Sequence, residues 1–265
     1  MKWFLLTIAI LAVVVNSTVH ISHALAGAEP SRPLTAREDV AVSSLVTKMA
    51  VAFREQNEEA NAMAAAKLKK MGTGSVPGLL FVLTKSGEEL ERMCAARAIA
   101  QLKNEASGAT NSIMQAVLAE KTGYVKATML RAVPIINVGG DEGTKQAIPL
   151  MNDRSYGWAR GYLPILIELF DDDDPMVSTE AISIVGWLEV EGAAAIPSLI
   201  RVLGDKSNRN ANPRRFAAQA LARVGPKSES VQKALKAALL DDVIEEAARE
   251  ALEEIEEQNK EDENQ

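Results

Sequence analysis

Apolar positions recur along the chain with a helical period, and the pattern is clearest between 163 and 203. A short apolar segment begins at Leu163 and is followed by the acidic turn 171–174. A second apolar segment starts at Pro175, and a segment like the first begins again at Ile196. In the second segment, apolar residues are spaced three and four apart, which places them on one helical face. The pattern therefore predicts two short helices joined by an acidic turn, followed by a repeat of the same unit.

The apolar face of the second helix recurs elsewhere, each time around one large apolar residue, which we call the central residue. It usually has Ala four positions before it and always has an apolar residue three positions after it. The central residues are Leu68, Ile99, Val133, Val185, Leu221 and Leu252, with steps of 31, 34, 52, 36 and 31 residues. One pair of short helices cannot bury its own apolar face, so the recurrence predicts about six stacked pairs. The step of 52 predicts one irregular inserted helix near 141–161.

The first helices also share a motif, because 76–83, 163–170 and 196–203 each carry proline near the start and leucine two residues later. On these recurring motifs the chain resembles HEAT-repeat proteins, including short bacterial repeats of the phycobilisome-lyase type. The resemblance implies an all-α, right-handed solenoid whose second helices line a concave surface. Solenoids of this kind use that extended surface to bind proteins or peptides.

Many HEAT repeats place Asp-Pro and then Val-Arg at the start of the second helix. In this chain the arginine position holds Arg92, Lys126, Ser178, Arg214 and Glu245. Because the residue type changes from repeat to repeat, a regular Asp–Arg ladder between repeats is not expected.

The N-terminal residues 1–26 have the pattern of a signal peptide. Lys2 precedes an apolar run from Phe4 to Val15, and Ala24-Leu25-Ala26 matches a cleavage motif. An uncleaved membrane anchor and an earlier cleavage point near Ser17 remain alternatives. We expect a linker at 27–34, the solenoid at 35–255 and an acidic disordered tail at 256–265. This organisation predicts a bacterial periplasmic or secreted protein with no membrane attachment after cleavage.

Composition excludes several chemistries from the mature chain. Loss of Lys2 with the signal peptide changes the formal net charge from −7 to −8, which disfavours nucleic acid as the main partner. The only histidines, His20 and His23, lie in the signal peptide. We therefore expect no catalytic residue, no cofactor and no metal site.

Two features with possible chemistry have simpler structural interpretations. Cys94 is the only cysteine, and its place on an apolar helix face predicts a buried structural thiol rather than a reactive or intermolecular one. The acidic run 171–174 could bind calcium, but its residues lack the alternating spacing of a calcium loop. Its position before Pro175 favours a turn that caps a helix.

The region 201–227, which we call the basic region, carries seven cations and one acid. Its candidate anion-binding residues are Arg201, Lys206, Arg209, Arg214 and Arg215. They could clamp carboxylate or phosphate groups. The alternative is a solvated turn whose charge balances the acidic last helix. Trp158, near the predicted insertion, could contact a partner, although filling the seam opened by the insertion is the alternative.

The sequence as a whole predicts a monomeric, exported, non-enzymatic HEAT-repeat scaffold that binds a protein or peptide on its concave surface. One alternative is a binder of an acidic ligand or partner through the basic region. The other is an enzyme similar to phycobilisome lyases, against which the predicted export argues.

Overall fold

The computed structural model describes residues 36–138, 157–207 and 210–263. Within these ranges every regular element is helical, and the α-helices fall into six consecutive pairs. They are α1 (Ala36–Arg54), α2 (Glu58–Met71), α3 (Val76–Lys85), α4 (Glu89–Gln101), α5 (Thr110–Ala119), α6 (Gly123–Val138), α7 (Leu163–Glu168), α8 (Pro175–Gly186), α9 (Ile196–Gly204), α10 (Asn212–Val224), α11 (Glu229–Ala238) and α12 (Glu245–Glu263). Short 3-10 helices lie at Gly72–Ser75, Lys103–Ala109, Gly157–Tyr162, Leu169–Asp171 and Glu189–Ala195.

The second helices of successive pairs pack directly on one another. Helix α4 contacts α6, α6 contacts α8, α8 contacts α10, and α10 contacts α12. First helices of successive pairs also contact one another: α1 contacts α3, α3 contacts α5, and α9 contacts α11. This serial packing is that of an α-solenoid, and it confirms the prediction of an all-α fold built from about six stacked pairs.

Small residues let the second helices approach closely. The central residues Ile99, Val133, Val185 and Leu221 are fully buried, while Leu252 in the last helix is partly buried. A Cβ added at Gly186 of α8 would lie 3.2 Å from the Cα of Ala220 in α10. The helix axes are therefore close enough that larger residues at these contacts would force the backbones apart.

The predicted capping turn before α8 is present. The Asp174 side chain accepts a hydrogen bond from the Met176 backbone N–H at 2.8 Å, and Pro175 is the first helical residue. Gly123, at the start of α6, leaves room for this carboxylate, since a Cβ there would lie 1.9 Å from Asp174 Oδ2. The turn thus caps its own helix and also contacts the preceding pair.

Several predictions fall wholly or partly outside the described residues. The signal peptide and the linker lie outside these residues. Most of the predicted inserted helix near 141–161 also lies outside, and its described end belongs to the 3-10 helix Gly157–Tyr162. The expectation of a disordered tail does not hold for 256–263, because α12 continues to Glu263. Once nucleated by packed residues, a helix extends cheaply through Glu, Gln and Lys. No described helix has both the length and the hydropathy needed to cross a bilayer.

Candidate functional site

Arg214, a predicted anion-binding residue, is buried at the start of α10 with only 4% of its surface exposed. Its Nε donates to the Leu203 carbonyl at 3.0 Å, and its Nη2 donates to Asp241 Oδ2 at 2.7 Å. These bonds join α10 to the end of α9 and to the turn before α12. The prediction of an accessible anion ligand is therefore wrong for Arg214, because its guanidinium is used in packing.

Lys206 shares the same carboxylate. Its Nζ lies 3.1 Å from Asp241 Oδ2, while the lysine side chain remains 72% exposed. Hydrogen bonds from Arg214 and then from Lys206 lower the pKa of Asp241 to about 2. Asp241 is therefore ionised at neutral pH and pairs with two of the candidate cations, which leaves the three groups with a net charge of +1.

The other described members of the basic region also have partners. Arg201 makes a bidentate pair with Asp171, with Nη1 to Oδ1 at 2.7 Å and Nη2 to Oδ2 at 2.8 Å. Arg215 is exposed and donates from Nε and Nη2 to the Val243 carbonyl, each at 3.3 Å. Arg209 lies outside the described residues. The four described candidates are thus tied to the protein itself, which weakens the interpretation of an open anion site.

These contacts belong to a ladder of ion pairs between repeats. Arg92 pairs with Glu120, Lys126 with Asp172, and Arg214 with Asp241. In each case the cation opens a second helix and the carboxylate lies in the turn before the next second helix in the chain. Of these three pairs only Arg214–Asp241 joins arginine to aspartate, so the expectation that a regular Asp–Arg ladder is absent holds, although three of the five positions form cation–carboxylate pairs. The sequence did not reveal these pairs because the acidic residue differs in type and in position from one turn to the next.

The Arg92–Glu120 pair is the best-buried pair in the N-terminal half of the described chain. Arg92 Nε lies 2.6 Å from Glu120 Oε2, and the two side chains are 15% and 4% exposed. Burial alone would raise the pKa of Glu120, but hydrogen bonds from Arg92, Thr122 and Lys121 together lower it. The pair therefore stays charged at neutral pH and forms a neutral unit.

Trp158 packs against the core instead of standing free on the surface. Its ring centroid is 6.4 Å from that of Tyr162 in a tilted arrangement. Its Nε1 is buried, with no hydrogen-bond partner among the described residues. This arrangement favours the seam-filling interpretation over the prediction of an exposed aromatic contact.

Cys94 is buried in α4, and burial raises the pKa of its thiol to about 11. The thiol is therefore protonated at neutral pH, which supports the structural interpretation over a reactive one. Across the described ranges, no group of His, Cys, Asp and Glu side chains is arranged to hold a metal ion. In the acidic turn, Asp171, Asp172 and Asp174 are each occupied by bonds to Arg201, Lys126 and Met176 respectively.

The sequence interpretation missed an open groove between the first helices α3 and α5. Its volume is about 660 Å³, and Pro77, Leu80 and Phe81 form one wall. Ser112 and Gln115 of α5 face them, and the Arg92–Glu120 pair lies among the lining residues. We call this feature the α3–α5 groove.

Phe81 is the most unusual residue of the groove, because 59% of its surface is exposed. A comparison of the repeated first helices could have revealed it. The position five residues after the helix start is Phe81 in α3, but Glu168 in α7 and Arg201 in α9. An aromatic side chain at a position that two other pairs fill with charge, and that no other described first helix fills with an aromatic residue, is a signal present in the sequence.

Comparison with known proteins supports the repeat assignment. Residues 163–255 match the family described as HEAT repeats. No curated protein matches the chain.

The solved structures that match the chain include an engineered protein and two designed armadillo repeat proteins. One engineered protein is 23% identical, with a TM-score of 0.48, covering 82% of this chain and 96% of that one. A designed armadillo repeat protein is 17% identical, with a TM-score of 0.49, covering 81% and 99%. Another, solved with the peptide (KR)4, is 18% identical, with a TM-score of 0.48 and the same coverage. Residues 163–255 are therefore HEAT repeats, and the stacked helix pairs described above continue a HEAT-like repeat architecture through the rest of the described residues.

Proposed function

We propose that the protein is an exported, non-enzymatic scaffold that binds a protein or peptide partner along its row of second helices. Repeat solenoids are typical of protein-binding scaffolds, because each repeat adds side chains to one extended surface. The proposal takes the second-helix row as that surface.

The observation that carries the proposal is the residue two positions before each central residue. In α4, α6 and α10 this position holds Arg97, Arg131 and Gln219, none of which is buried. In α12 it holds Glu250, which is exposed. Long polar side chains therefore occupy this position in four of the six second helices, while α2 and α8 carry small residues there. Arginine is enriched in protein interfaces.

Export and the non-enzymatic assignment rest on the sequence. The signal-peptide pattern of 1–26 supports a periplasmic or secreted location, and its removal would leave a chain without histidine. The protonated, buried thiol of Cys94 supports the absence of cysteine chemistry. Within this proposal the protein acts by binding, as a monomer, and needs no cofactor.

The alternative of an acidic ligand in the basic region has weaker support. Arg214 is buried, and Lys206 and Arg201 already pair with carboxylates of the chain. A ligand would have to displace these carboxylates or use the exposed remainder of the side chains. In the second-helix row Arg131 is likewise paired with Glu180, so the preference for the row rests on its extent over several repeats.

The test replaces single residues with the photo-cross-linking amino acid p-benzoylphenylalanine in cells that make the full chain. Positions 97 and 219 sample the second-helix row, and Lys236, exposed on the first helix α11, is the matched control position. We expect one partner to cross-link from 97 and 219 and not from 236. Cross-linking from 236 alone, or from none of the three, would contradict the proposed surface.

Export is tested separately by mass spectrometry of the protein from its native cells. A mature N-terminus at Gly27, or near Thr18, in an envelope or extracellular fraction is the expected result. An intact Met1 in the cytosolic fraction would contradict export, whatever the cross-linking shows.

A further inference from the structure

We propose that the α3–α5 groove docks an extended segment of a protein partner that carries an aromatic or branched apolar side chain flanked by carboxylates. The inference rests on the proposed scaffold function and adds a second contact surface, on first helices, with a defined partner chemistry. Three features of the groove carry it: an exposed aromatic ring, unpaired cations at the rim and an open shape.

The apolar part of the site is the Phe81 wall. Phe81 is more exposed than any other described phenylalanine, Phe53 and Phe216 being 42% and 37% exposed. Leu80 is partly buried beside it, so the ring borders the packed core. A partner side chain placed against Phe81 would bury apolar surface from both molecules, which is how aromatic residues contribute at interfaces.

Two of the residues that line the groove are lysines without a described carboxylate partner. Lys85 at the end of α3 and Lys121 after α5 are both exposed. Among the contacts of the described residues, neither ammonium group has a carboxylate partner. The one lining carboxylate, Glu120, is neutralised by Arg92. In a chain of net charge −7, this groove therefore favours a segment with acidic residues.

The shape fits a chain segment. The groove is open to solvent instead of enclosed, and its volume of about 660 Å³ is of the size that ligand sites have. The Ser112 hydroxyl and the Gln115 amide on the α5 wall offer a donor and an acceptor to an extended main chain. A segment lying between α3 and α5 would place its apolar side chain on Phe81 and its carboxylates near Lys85 and Lys121.

The first test selects ligands without assuming their sequence. A phage library of random heptapeptides is panned on the purified full chain and, in parallel, on the Phe81→Gln variant. Glutamine is chosen because the facing helix α5 already carries Gln115. We expect peptides that combine an aromatic or branched apolar residue with Asp or Glu to be enriched only on the unmodified chain. Equal enrichment on both proteins, or none on either, would overturn the proposal.

The second test measures affinity for a selected, fluorescently labelled peptide by anisotropy. Phe81→Gln, and separately the double change Lys85→Glu with Lys121→Glu, should each weaken binding by about tenfold or more, which is about 1.4 kcal/mol. The controls are Leu118→Gln, a 49% exposed residue of α5 outside the groove lining, and Lys236→Glu. The controls should retain affinity within about twofold. Loss of affinity in the controls as well would mean that binding does not depend on the groove.

The third test identifies the occupant in cells, with p-benzoylphenylalanine at position 115. A cross-link to a different protein supports the inference, whereas a cross-link within the chain or between two copies would overturn it. Position 115 reports on the groove and positions 97 and 219 on the second-helix row, so the two proposals fail separately. A partner cross-linked from 97 and 219 alone would leave the scaffold function standing without the groove.

Discussion

The basic region around α9 and α10 and the α3–α5 groove both carry exposed cations, but the two regions use them differently. In the basic region, Arg201 and Lys206 are paired with carboxylates about one repeat away in the sequence. In the groove, Lys85 and Lys121 have no carboxylate partner among the described contacts. Most of the described cations of the basic region therefore have a carboxylate partner, whereas the two groove lysines have none.

The difference arises from the stacking of repeats. A cation at the start of a second helix faces the turn of the next pair, where a helix cap often supplies a carboxylate. Arg214 and Asp241 meet in this way. Lys85 and Lys121 lie at the ends of first helices, and the nearest lining carboxylate already belongs to Arg92. A charged side chain of a solenoid is therefore available to bind a partner where it takes no part in the ion pairs between repeats.

The largest expected effect separates a buried from an exposed arginine of the basic region. Arg214→Met should lower the free energy of unfolding by about 3 kcal/mol, because it leaves the Leu203 carbonyl without this donor in a packed site and leaves Asp241 with only its longer contact to Lys206 as a cation partner. Arg215→Met is the adjacent control and should change it by less than about 0.5 kcal/mol. Urea unfolding of both variants measures the difference. Equal effects would show that Arg214 is not the packing residue described here.

The second prediction compares a packed alanine with a groove alanine. Ala217 is fully buried between second helices, so Ala217→Leu should overpack the contact and lower the free energy of unfolding by about 1–3 kcal/mol. Ala119 is exposed on the groove side of α5, and Ala119→Leu should be nearly neutral. Thermal melts report both. A tolerated leucine at 217 would mean that α8, α10 and α12 are less tightly packed than described.

The third prediction concerns acid stability in the basic region. The pKa of Asp241 is lowered from 3.8 to about 2, so the unfolded chain takes up this proton at a higher pH than the folded chain does. Its stabilisation is complete above about pH 4 and is lost as the pH falls towards about 2. The difference in unfolding midpoint between the native chain and Asp241→Asn should therefore shrink across that interval. A constant difference would show that Asp241 is not held ionised by Arg214.

Much of the fold could be predicted from the sequence, because each helix pair repeats one local pattern. The central residues Ile99, Val133, Val185 and Leu221 lie where a helical period of 3.6 places them, in the packed interior. Asp174 and Asn57 cap their helices as their residue types favour. Local chemistry recurring in register is sufficient to predict a solenoid, since each repeat needs only its neighbours.

The sites could not be predicted as well, because they depend on contacts between repeats. Arg214 and Arg215 are adjacent and chemically identical, yet one is buried and the other exposed. They differ in direction: the Arg214 side chain points towards α9 and the turn before α12, whereas the Arg215 side chain is exposed to solvent. Phe81 was missed for a different reason: within one apolar helix a phenylalanine is unremarkable, and its exposed position becomes evident only when the first helices are compared with one another.

The smallest expected effect comes from the exposed ion pair of the basic region. Arg201 and Asp171 form a bidentate pair, but their side chains are 53% and 61% exposed, so water and salt screen the attraction. Arg201→Gln should lower the free energy of unfolding by only about 0.5 kcal/mol at low salt. At about 1 M salt, where the Debye length is about 3 Å, the difference from the native chain should vanish. Urea unfolding at both ionic strengths provides the measurement, with Lys236→Gln as a control for removing a surface cation. An effect above about 2 kcal/mol that persists at high salt would place Arg201 with Arg214 among the packing residues. The cations of the basic region would then be even less available to a partner than those of the groove.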